Sequence, residues 1–145
     1  EPIKALEEAV PDLAQYAAFD TAFHTTIPEV VQTYALPLEE RERGLRRYGF
    51  HGLSYAGLVR HLPAIAGHLP ERILACHLGN GASLCAIKGG RSVASSMGYS
   101  AVSGLTMGTR AGEIDATAVL DLAARHPGLS GCWSLCAGCC SFHGI

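Results

Sequence analysis

Two apolar segments in the middle of the chain are separated by a histidine and two glycines. The sequence runs RILACHL, then Gly79-Asn80-Gly81, then ASLCAIK. An Asn-Gly pair between apolar strands is a strong signal for a β-hairpin, because both residues tolerate a positive φ angle. Glycines also leave backbone N–H groups bare, so that a phosphate can approach and accept hydrogen bonds from them. The segment matches neither a Walker A loop nor a dinucleotide fingerprint, so the local sequence leaves both interpretations open.

Three further residues have side chains suited to phosphate chemistry. Asp20 follows a short apolar stretch, where an aspartate often initiates a turn. His51 is flanked by Gly49 and Gly52 just before a helical pattern, where a side chain can be presented to a cleft. Arg110 lies in a glycine-rich loop, and its guanidinium has the planar shape that holds two phosphate oxygens. Taken singly, none of these residues is a specific signal, because a lone histidine is more often structural and Arg110 alone would be a surface arginine.

The elements that would position these residues indicate an α/β protein. Three short strands, RILACHL, SLCAIK and RSVAS, are predicted with glycine turns between them. A helix is predicted with Ser54 as its N-cap, and residues 95–112 are predicted to be a loop. The remaining predictions are the end of a helix over residues 2–9, a buried strand over 14–19, an extended connection over 20–40 and a helix over 113–125.

Composition and charge restrict the class of protein. Hydrophobic residues make up 48% of the 145 residues and charged residues 17%, as in an ordinary globular protein. The net charge of −2 gives no reason to expect nucleic acid or an anionic membrane as a partner. The sequence shows no signal peptide and no apolar run of roughly 18 residues, the length that a membrane span needs. We therefore expect a cytoplasmic protein with reduced thiols.

Four longer motifs resemble the acetokinase family in order and spacing. They are FDTAFH, RRYGFHGLS, CHLGNGASLCAI and SSMGYSAVSGLTMGTRAGEID, and the resemblance covers roughly residues 1–125. It implies a ribonuclease-H-like, actin-like ATPase fold, with a nucleotide in the cleft between two lobes. In that fold, turns such as Gly79-Asn80-Gly81 close on the phosphates of the nucleotide. The resemblance therefore favours a turn that is both a hairpin and a phosphate site.

The resemblance also implies an activity and assigns residues to it. The reaction is the reversible transfer of a phosphoryl group from ATP to acetate, with Mg²⁺, in a protein that is typically a homodimer. Asp20 matches the residue assigned as catalytic acid/base, while His51 and Arg110 match two transition-state stabilisers. The motifs assign no metal ligand within this chain. The residues that match the ATP-binding turn are His77, Leu78, Gly79, Asn80 and Gly81.

The chemistry of acetate favours a different role for Asp20. Carboxylic acids titrate near pH ~4. Acetate therefore reaches the enzyme already ionised, with no proton for a base to remove. We predict instead that Asp20 mainly orients Mg²⁺ or a water molecule bound to it. Nothing in the sequence favours a covalent phospho-aspartate.

The sequence also departs from the family pattern. The resemblance implies that residues 1–21 end the first lobe and that residues 22–129 begin the second, nucleotide-binding lobe. Several parts of the family's cleft have no counterpart here, including the arginine that holds acetate and the adenosine-binding segments. We therefore expect an internal fragment with impaired activity, because positioning supplies most of the rate. Residues 130–145 form an aberrant Cys-rich tail, whose thiols suit zinc in type but not in spacing and which a frameshift explains better.

Three other readings remain open at this point. A sibling kinase acting on propionate or butyrate would carry the same motifs, because the acyl pocket lies outside this sequence. A catalytically inactive nucleotide-binding module would also carry them, and formation of an acyl phosphate would separate the enzyme from the module. A non-functional gene remnant is the third. The sequence does not decide which acid is used, whether the fragment folds alone or how it oligomerises.

Overall fold

The computed structural model describes residues 2–126, so the Cys-rich tail and its zinc-type thiols lie outside the described residues. No helix in the described part of the chain is long and apolar enough to cross a membrane. The mixture of helices with one sheet confirms the predicted α/β class. The elements are α1 (Pro2–Ala9), a 3₁₀ helix (Ala22–Thr26), α2 (Glu29–Gln32), α3 (Leu38–Glu42), α4 (Gly52–Ala66), β1 (Arg72–Leu78), β2 (Ala82–Lys88), β3 (Arg91–Ser95) and α5 (Ala116–Arg125).

The three strands form one antiparallel sheet in the order β1-β2-β3. Arg72 pairs with Lys88 at one end of the first hairpin, and Leu78 pairs with Ala82 at the other. All three predicted strands are confirmed. Their signals are local, because a hairpin brings together residues that are already close in sequence.

One face of the sheet packs against helix α4. Along β1, Ala75 is 5% exposed whereas its neighbour Leu74 is 71% exposed, as expected for an antiparallel sheet that buries one face. Helix α4 and the 3₁₀ helix supply the side chains that cover this face of the sheet. The buried members are Tyr55 from α4, Ala75 from β1 and Cys85 and Ile87 from β2, with Phe23, Val59 and Ile73 packed around them.

A second apolar cluster folds the long loop after β3 back over the β1–β2 turn. Between β3 and α5 the described chain forms no helix or strand, which confirms the predicted loop over 95–112. The cluster joins the start of β2, the residue before His51 and the loop itself. Its buried members are Ala82, Met97 and Met107, with Phe50, Ala101 and Leu105 packed against them.

The predicted strand over residues 14–19 is wrong. Within the described residues this segment pairs with no other strand, and the side chains of Tyr16 and Phe19 are 94% and 66% exposed. Apolar composition alone does not make a strand, because its backbone N–H and C=O groups need a neighbouring strand to pair with. The connection over 20–40 is also more regular than predicted, since it contains the 3₁₀ helix, α2 and the first residues of α3.

Helices α4 and α5 begin at different residues from those predicted. Helix α4 begins at Gly52, so Ser54 lies inside its first turn instead of capping it. Helix α5 begins at Ala116 because Asp115 caps it: the carboxylate accepts a hydrogen bond from the N–H of Thr117 at 2.7 Å. Aspartate is among the best N-cap residues, which explains the shift of the boundary from residue 113.

A buried histidine ties the 3₁₀ helix to the sheet and to the segment before α4. His24 is 2% exposed, and its Nε2 donates a hydrogen bond to the carbonyl of Phe50 at 2.8 Å. In the neutral ring Nδ1 must then accept, so the hydroxyl of Ser92, 2.8 Å away, is the donor. Burial lowers the pKa of His24, despite smaller opposing effects from the Phe50 carbonyl and from Asp20. The ring is therefore neutral near pH 7.

This neutral histidine should make the fold less stable in mild acid. The unfolded chain binds a proton at His24 below about pH 6.5, whereas the folded chain resists protonation until a lower pH. Its contribution to stability is thus complete above pH ~6.5 and is lost as the pH falls through the folded-state pKa, by at most ~1.4 kcal/mol per pH unit.

Urea unfolding of the chain at several pH values between about 7.5 and 5 measures this loss. In His24→Gln the free energy of unfolding should fall less steeply over the same range. A slope equal to that of the unsubstituted chain would show that His24 is not the group responsible. The range lies above the usual titration of carboxylates, so these contribute little to it.

Candidate active site

The turn between β1 and β2 is a hairpin that does not use positive φ angles. The N–H of Gly79 donates to the carbonyl of Gly81 at 3.0 Å, and no residue of this turn has a positive φ. The second turn differs, because Gly89 and Gly90 have φ angles of 53° and 76°. The expectation that Asn80 and Gly81 would use their tolerance of positive φ is therefore wrong. Backbone conformation does not explain why residue 81 is a glycine.

Close approach of two functional side chains explains this glycine instead. A Cβ atom on Gly81 would lie 3.2 Å from Nε2 of His51 and 3.3 Å from Nη2 of Arg110. Both nitrogens therefore face the same side of one bare backbone unit. The backbone of this turn, an imidazole and a guanidinium therefore lie together, and groups of these kinds have the chemistry to bind a phosphate.

The loop after β3 delivers Arg110 to this turn. The N–H of Gly108 donates to the backbone carbonyl of Asn80 at 3.2 Å, and the side-chain oxygen of Asn80 occupies the space that a Cβ on Gly108 would fill. Nη1 of Arg110 donates to the carbonyl of Ala101 at 2.7 Å. One terminal nitrogen is thus engaged by the backbone, which fixes the plane of the guanidinium and directs Nη2 towards Gly81.

His51 is held in a left-handed conformation at the start of α4. Its φ of 59° is the one positive φ of a non-glycine residue in the described chain, and such a conformation costs about 1–2 kcal/mol. Its N–H donates to Oδ2 of Asp20 at 2.6 Å, and the N–H of Gly52 donates to the backbone carbonyl of Asp20 at 2.8 Å. Asp20 therefore satisfies N–H groups at the helix start from a distant segment and stabilises the strained residue.

The ring of His51 stacks on the ring of His77. The two centroids are 4.0 Å apart and the planes make an angle of 21°, while Nδ1 of His77 lies 3.0 Å from the hydroxyl of Ser54. Burial is the largest influence on the pKa of His51 and lowers it. The neighbouring His77 and Arg110 lower that pKa further, whereas the Asp20 carboxylate raises it. We conclude that His51 is neutral near pH 7 when no anion is bound.

Asp20 has limited capacity as a metal ligand. One of its oxygens accepts from His51, and the N–H of Leu53 lies at the longer distance of 3.4 Å from the other. A carboxylate has about four acceptor sites, so a ligand position remains. The described residues contain no group of three or more His, Cys, Asp or Glu side chains that could hold a metal ion. Asp20 therefore fits Mg²⁺ as a single carboxylate, with water and substrate phosphates as the other ligands.

The structure brings the sequence-predicted residues together. His51, Arg110 and His77 surround the turn. Asp20 does not reach the turn but bonds to the backbone of His51. The roles assigned to these residues stay predictions. Leu78 ends β1 with its side chain 74% exposed. Sequence reasoning missed two buried hydroxyls behind His51, those of Tyr55 and Ser83. The strand register could have indicated the second, because Ser83 pairs directly with His77.

Comparison with known proteins agrees with the resemblance seen in the motifs. A family model described as the Acetokinase family matches residues 1–130. An acetate kinase of Nitrobacter hamburgensis is 50% identical over 126 residues, which are 86% of this chain and 31% of the relative. An acetate kinase of Methylocella silvestris is 54% identical over 121 residues, covering 83% of this chain and 30% of the relative. The chain thus spans about a third of the length of these relatives.

Solved structures show the same relationship. An acetate kinase of Porphyromonas gingivalis superimposes with a TM-score of 0.81 at 40% identity, over 93% of this chain and 35% of that one. A propionate kinase of Francisella tularensis gives a TM-score of 0.80 at 36% identity, over 89% of this chain and 34% of that one. The fold is therefore part of the actin-like ATPase fold that these kinases share, as predicted. On sequence and on structure, the chain belongs to the acetokinase family.

Proposed function

We propose that this chain carries part of the active site of an acetate kinase, which transfers a phosphoryl group reversibly between ATP and acetate. One observation supports this more than any other: His51 Nε2 and Arg110 Nη2 converge on Gly81, where they would lie only 3.2 and 3.3 Å from a Cβ atom and so crowd any side chain. Turn geometry gives no reason for this glycine, since its φ is not positive, whereas a bare backbone here would let one phosphate contact the turn and both side chains.

Each group has a physical task in such a transfer. Negative charge spreads over three equatorial oxygens of the phosphoryl group in the transition state, so that positioned donors supply most of the catalysis. Arg110 presents a permanent cation through Nη2, and His51 presents an imidazole nitrogen beside it. The backbone of residues 79–81 would hold the phosphates of ATP, and the stacked ring of His77 keeps His51 in place.

Mg²⁺ would neutralise phosphate charge and orient the transferring group when bound. We propose that Asp20 contributes its remaining acceptor position to this ion or to a water molecule on it. The same carboxylate also fixes the backbone of His51, so that the metal and the imidazole would be positioned together. Family resemblance is the support for a homodimer and for a lobe boundary near residue 21. The free thiols of Cys76 and Cys85 suit a protein of the reducing cytoplasm.

The acid that is phosphorylated follows from family similarity alone. Most of the similar proteins named above are acetate kinases, which favours acetate, while the propionate kinase of Francisella tularensis keeps propionate or butyrate as the second candidate. A module that binds nucleotide without transferring phosphate is the non-enzymatic alternative.

A chimera can test the proposal, in which residues 2–126 replace the matching segment of the Porphyromonas gingivalis acetate kinase. Hydroxylamine trapping of the acyl phosphate, with acetate, propionate or butyrate, should show turnover with acetate as the preferred acid. Gly81→Val in the chimera should weaken ATP binding at least tenfold, because the added carbons would enter the space between His51 Nε2 and Arg110 Nη2.

Three outcomes would contradict this proposal. ATP binding without acyl phosphate would favour the binding module, and a preference for propionate would favour the sibling kinase. Unchanged ATP binding in Gly81→Val would mean that the phosphates lie elsewhere. Thermal unfolding serves as the control for Gly81→Val, because a chimera that is still folded at the assay temperature shows that weaker ATP binding arises at the site and not from loss of structure.

A further inference from the structure

Two buried hydroxyl groups lie directly behind the ring of His51. Tyr55 is 2% exposed and Ser83 is fully buried. The Ser83 hydroxyl is 2.9 Å from Nδ1 of His51 and 2.5 Å from the Tyr55 hydroxyl, so the three groups form a continuous chain of hydrogen bonds. Neither hydroxyl reaches the surface where a phosphate would bind. Any effect of these hydroxyls on a bound phosphate must therefore be transmitted through His51.

The direction of this chain follows from the tyrosine. A buried phenol must donate its hydrogen, and the acceptor that the described residues offer it is Oγ of Ser83. Burial raises the pKa of Tyr55, and its hydrogen bonds with Ser83 and with the backbone of His77 oppose this only in part, so the phenol remains protonated. Ser83 accepts from Tyr55 and then has its own hydrogen to donate to Nδ1 of His51.

We propose that Tyr55 and Ser83 are positioning residues that hold His51 as the neutral tautomer protonated at Nε2. This inference rests on the proposed function for the identity of the acceptor, a phosphoryl oxygen at Gly81. A neutral imidazole has one N–H and one lone pair. With Nδ1 occupied as an acceptor, the N–H is at Nε2, the nitrogen that faces Gly81 beside Nη2 of Arg110.

The tautomer decides which group Nε2 of His51 presents to a phosphate. In the opposite tautomer Nε2 would direct a lone pair at the negative oxygens and would weaken binding instead of stabilising charge. A protonated ring would donate from both nitrogens and would need no such control, but the cation of Arg110 and the ring of His77 lie against it. The two hydroxyls thus place the N–H of His51 on Nε2 without adding a second positive charge.

Nitrogen-15 NMR of the full 145-residue chain tests the inference directly. At about pH 8, above the usual titration of imidazole, long-range proton–nitrogen spectra distinguish the two neutral tautomers, and His51→Gln identifies the signals. We expect the Nε2-protonated form in the unsubstituted chain and a mixture of tautomers in Tyr55→Phe and Ser83→Ala. Tyr48→Phe removes a hydroxyl that donates to the carbonyl of Gly44 instead, and should leave the signals unchanged.

Ser92→Ala is the matched control for Ser83→Ala, because Ser92 is equally buried but bonds to His24.

In the chimera, Tyr55→Phe should lower kcat roughly tenfold with little change in the KM for ATP. A loss of structure alone would reduce both the melting temperature and the amount of folded protein, without creating a second tautomer.

The results separate this inference from the proposed function. A predominant Nδ1-protonated ring in the unsubstituted chain, or unchanged tautomers in both Tyr55→Phe and Ser83→Ala, would overturn the inference even if the chimera is active. If the tautomers are as expected but the chimera forms no acyl phosphate, the positioning role stands and the proposed function is overturned. If either variant fails to fold, the other variant and the unsubstituted chain still decide.

Discussion

Replacing Arg110 with glutamine in the chimera should lower kcat for acetyl phosphate formation by about a thousandfold or more. Arginines that contact a transferring phosphoryl group typically contribute 10³–10⁵ in rate, because they stabilise charge that is present mainly in the transition state. Glutamine removes the cation and the fork of N–H groups but keeps a polar side chain of moderate length. Acyl phosphate trapping at saturating ATP and acetate measures the loss.

The position of the guanidinium should matter as well as its charge. Arg110→Lys keeps the charge but cannot both donate to the carbonyl of Ala101 and present a second nitrogen to Gly81, so we expect it to recover only a small part of the rate. Arg43→Gln is the control, because this arginine is exposed and pairs with Glu40 on the surface. A kcat of Arg110→Gln within tenfold of the unsubstituted chimera would remove Arg110 from the active site.

Gly49→Ala should destabilise the chain by about 3 kcal/mol. Gly49 has a φ of 73°, which is unfavourable for alanine, and a Cβ there would lie 2.7 Å from Cγ of the buried His24 ring. The ring cannot move aside easily, because its two nitrogens are bonded to Phe50 and Ser92. Urea unfolding of the chain gives the change in free energy of unfolding.

Gly57→Ala is the matched control for Gly49→Ala. Gly57 lies inside helix α4, and nothing comes within 4 Å of a Cβ built on it. Alanine should therefore stabilise the chain by ~0.5–1 kcal/mol through its higher helix propensity. A destabilisation of Gly49→Ala below about 1 kcal/mol, the average for a point substitution, would show that the segment before α4 adapts more freely than the packing of His24 implies.

The elements that the sequence predicted well are those governed by nearby residues. Strands β1, β2 and β3 follow from short apolar runs and from glycine turns, and helix α1 and the loop after β3 were also predicted at their places. The segment over 14–19 failed for the opposite reason. Its apolar composition resembles that of a strand, but a strand also requires a partner, and a partner is a property of the whole fold.

The sequence named candidate site residues but not how they are arranged, and their roles stay predictions. The motifs named Asp20, His51, Arg110 and the turn, because these residue types are recognisable in sequence. The bond from Asp20 to the backbone of His51 was not predicted, since it joins residues 31 positions apart. Nor were the hydroxyls of Tyr55 and Ser83, because both residues look like ordinary core positions until the strand register and the packing of α4 are known.

The sequence by itself determined the family, the hairpin and the residue types that could contact a phosphate. Only the tertiary structure decided how these residues are arranged. It showed that His51 and Arg110 approach the backbone of Gly81 and that the turn uses no positive φ there. It also showed that His51 takes a left-handed conformation that Asp20 stabilises. Local sequence determines the preferences of neighbouring residues, whereas a site made from four separate segments depends on contacts that form only when the chain folds.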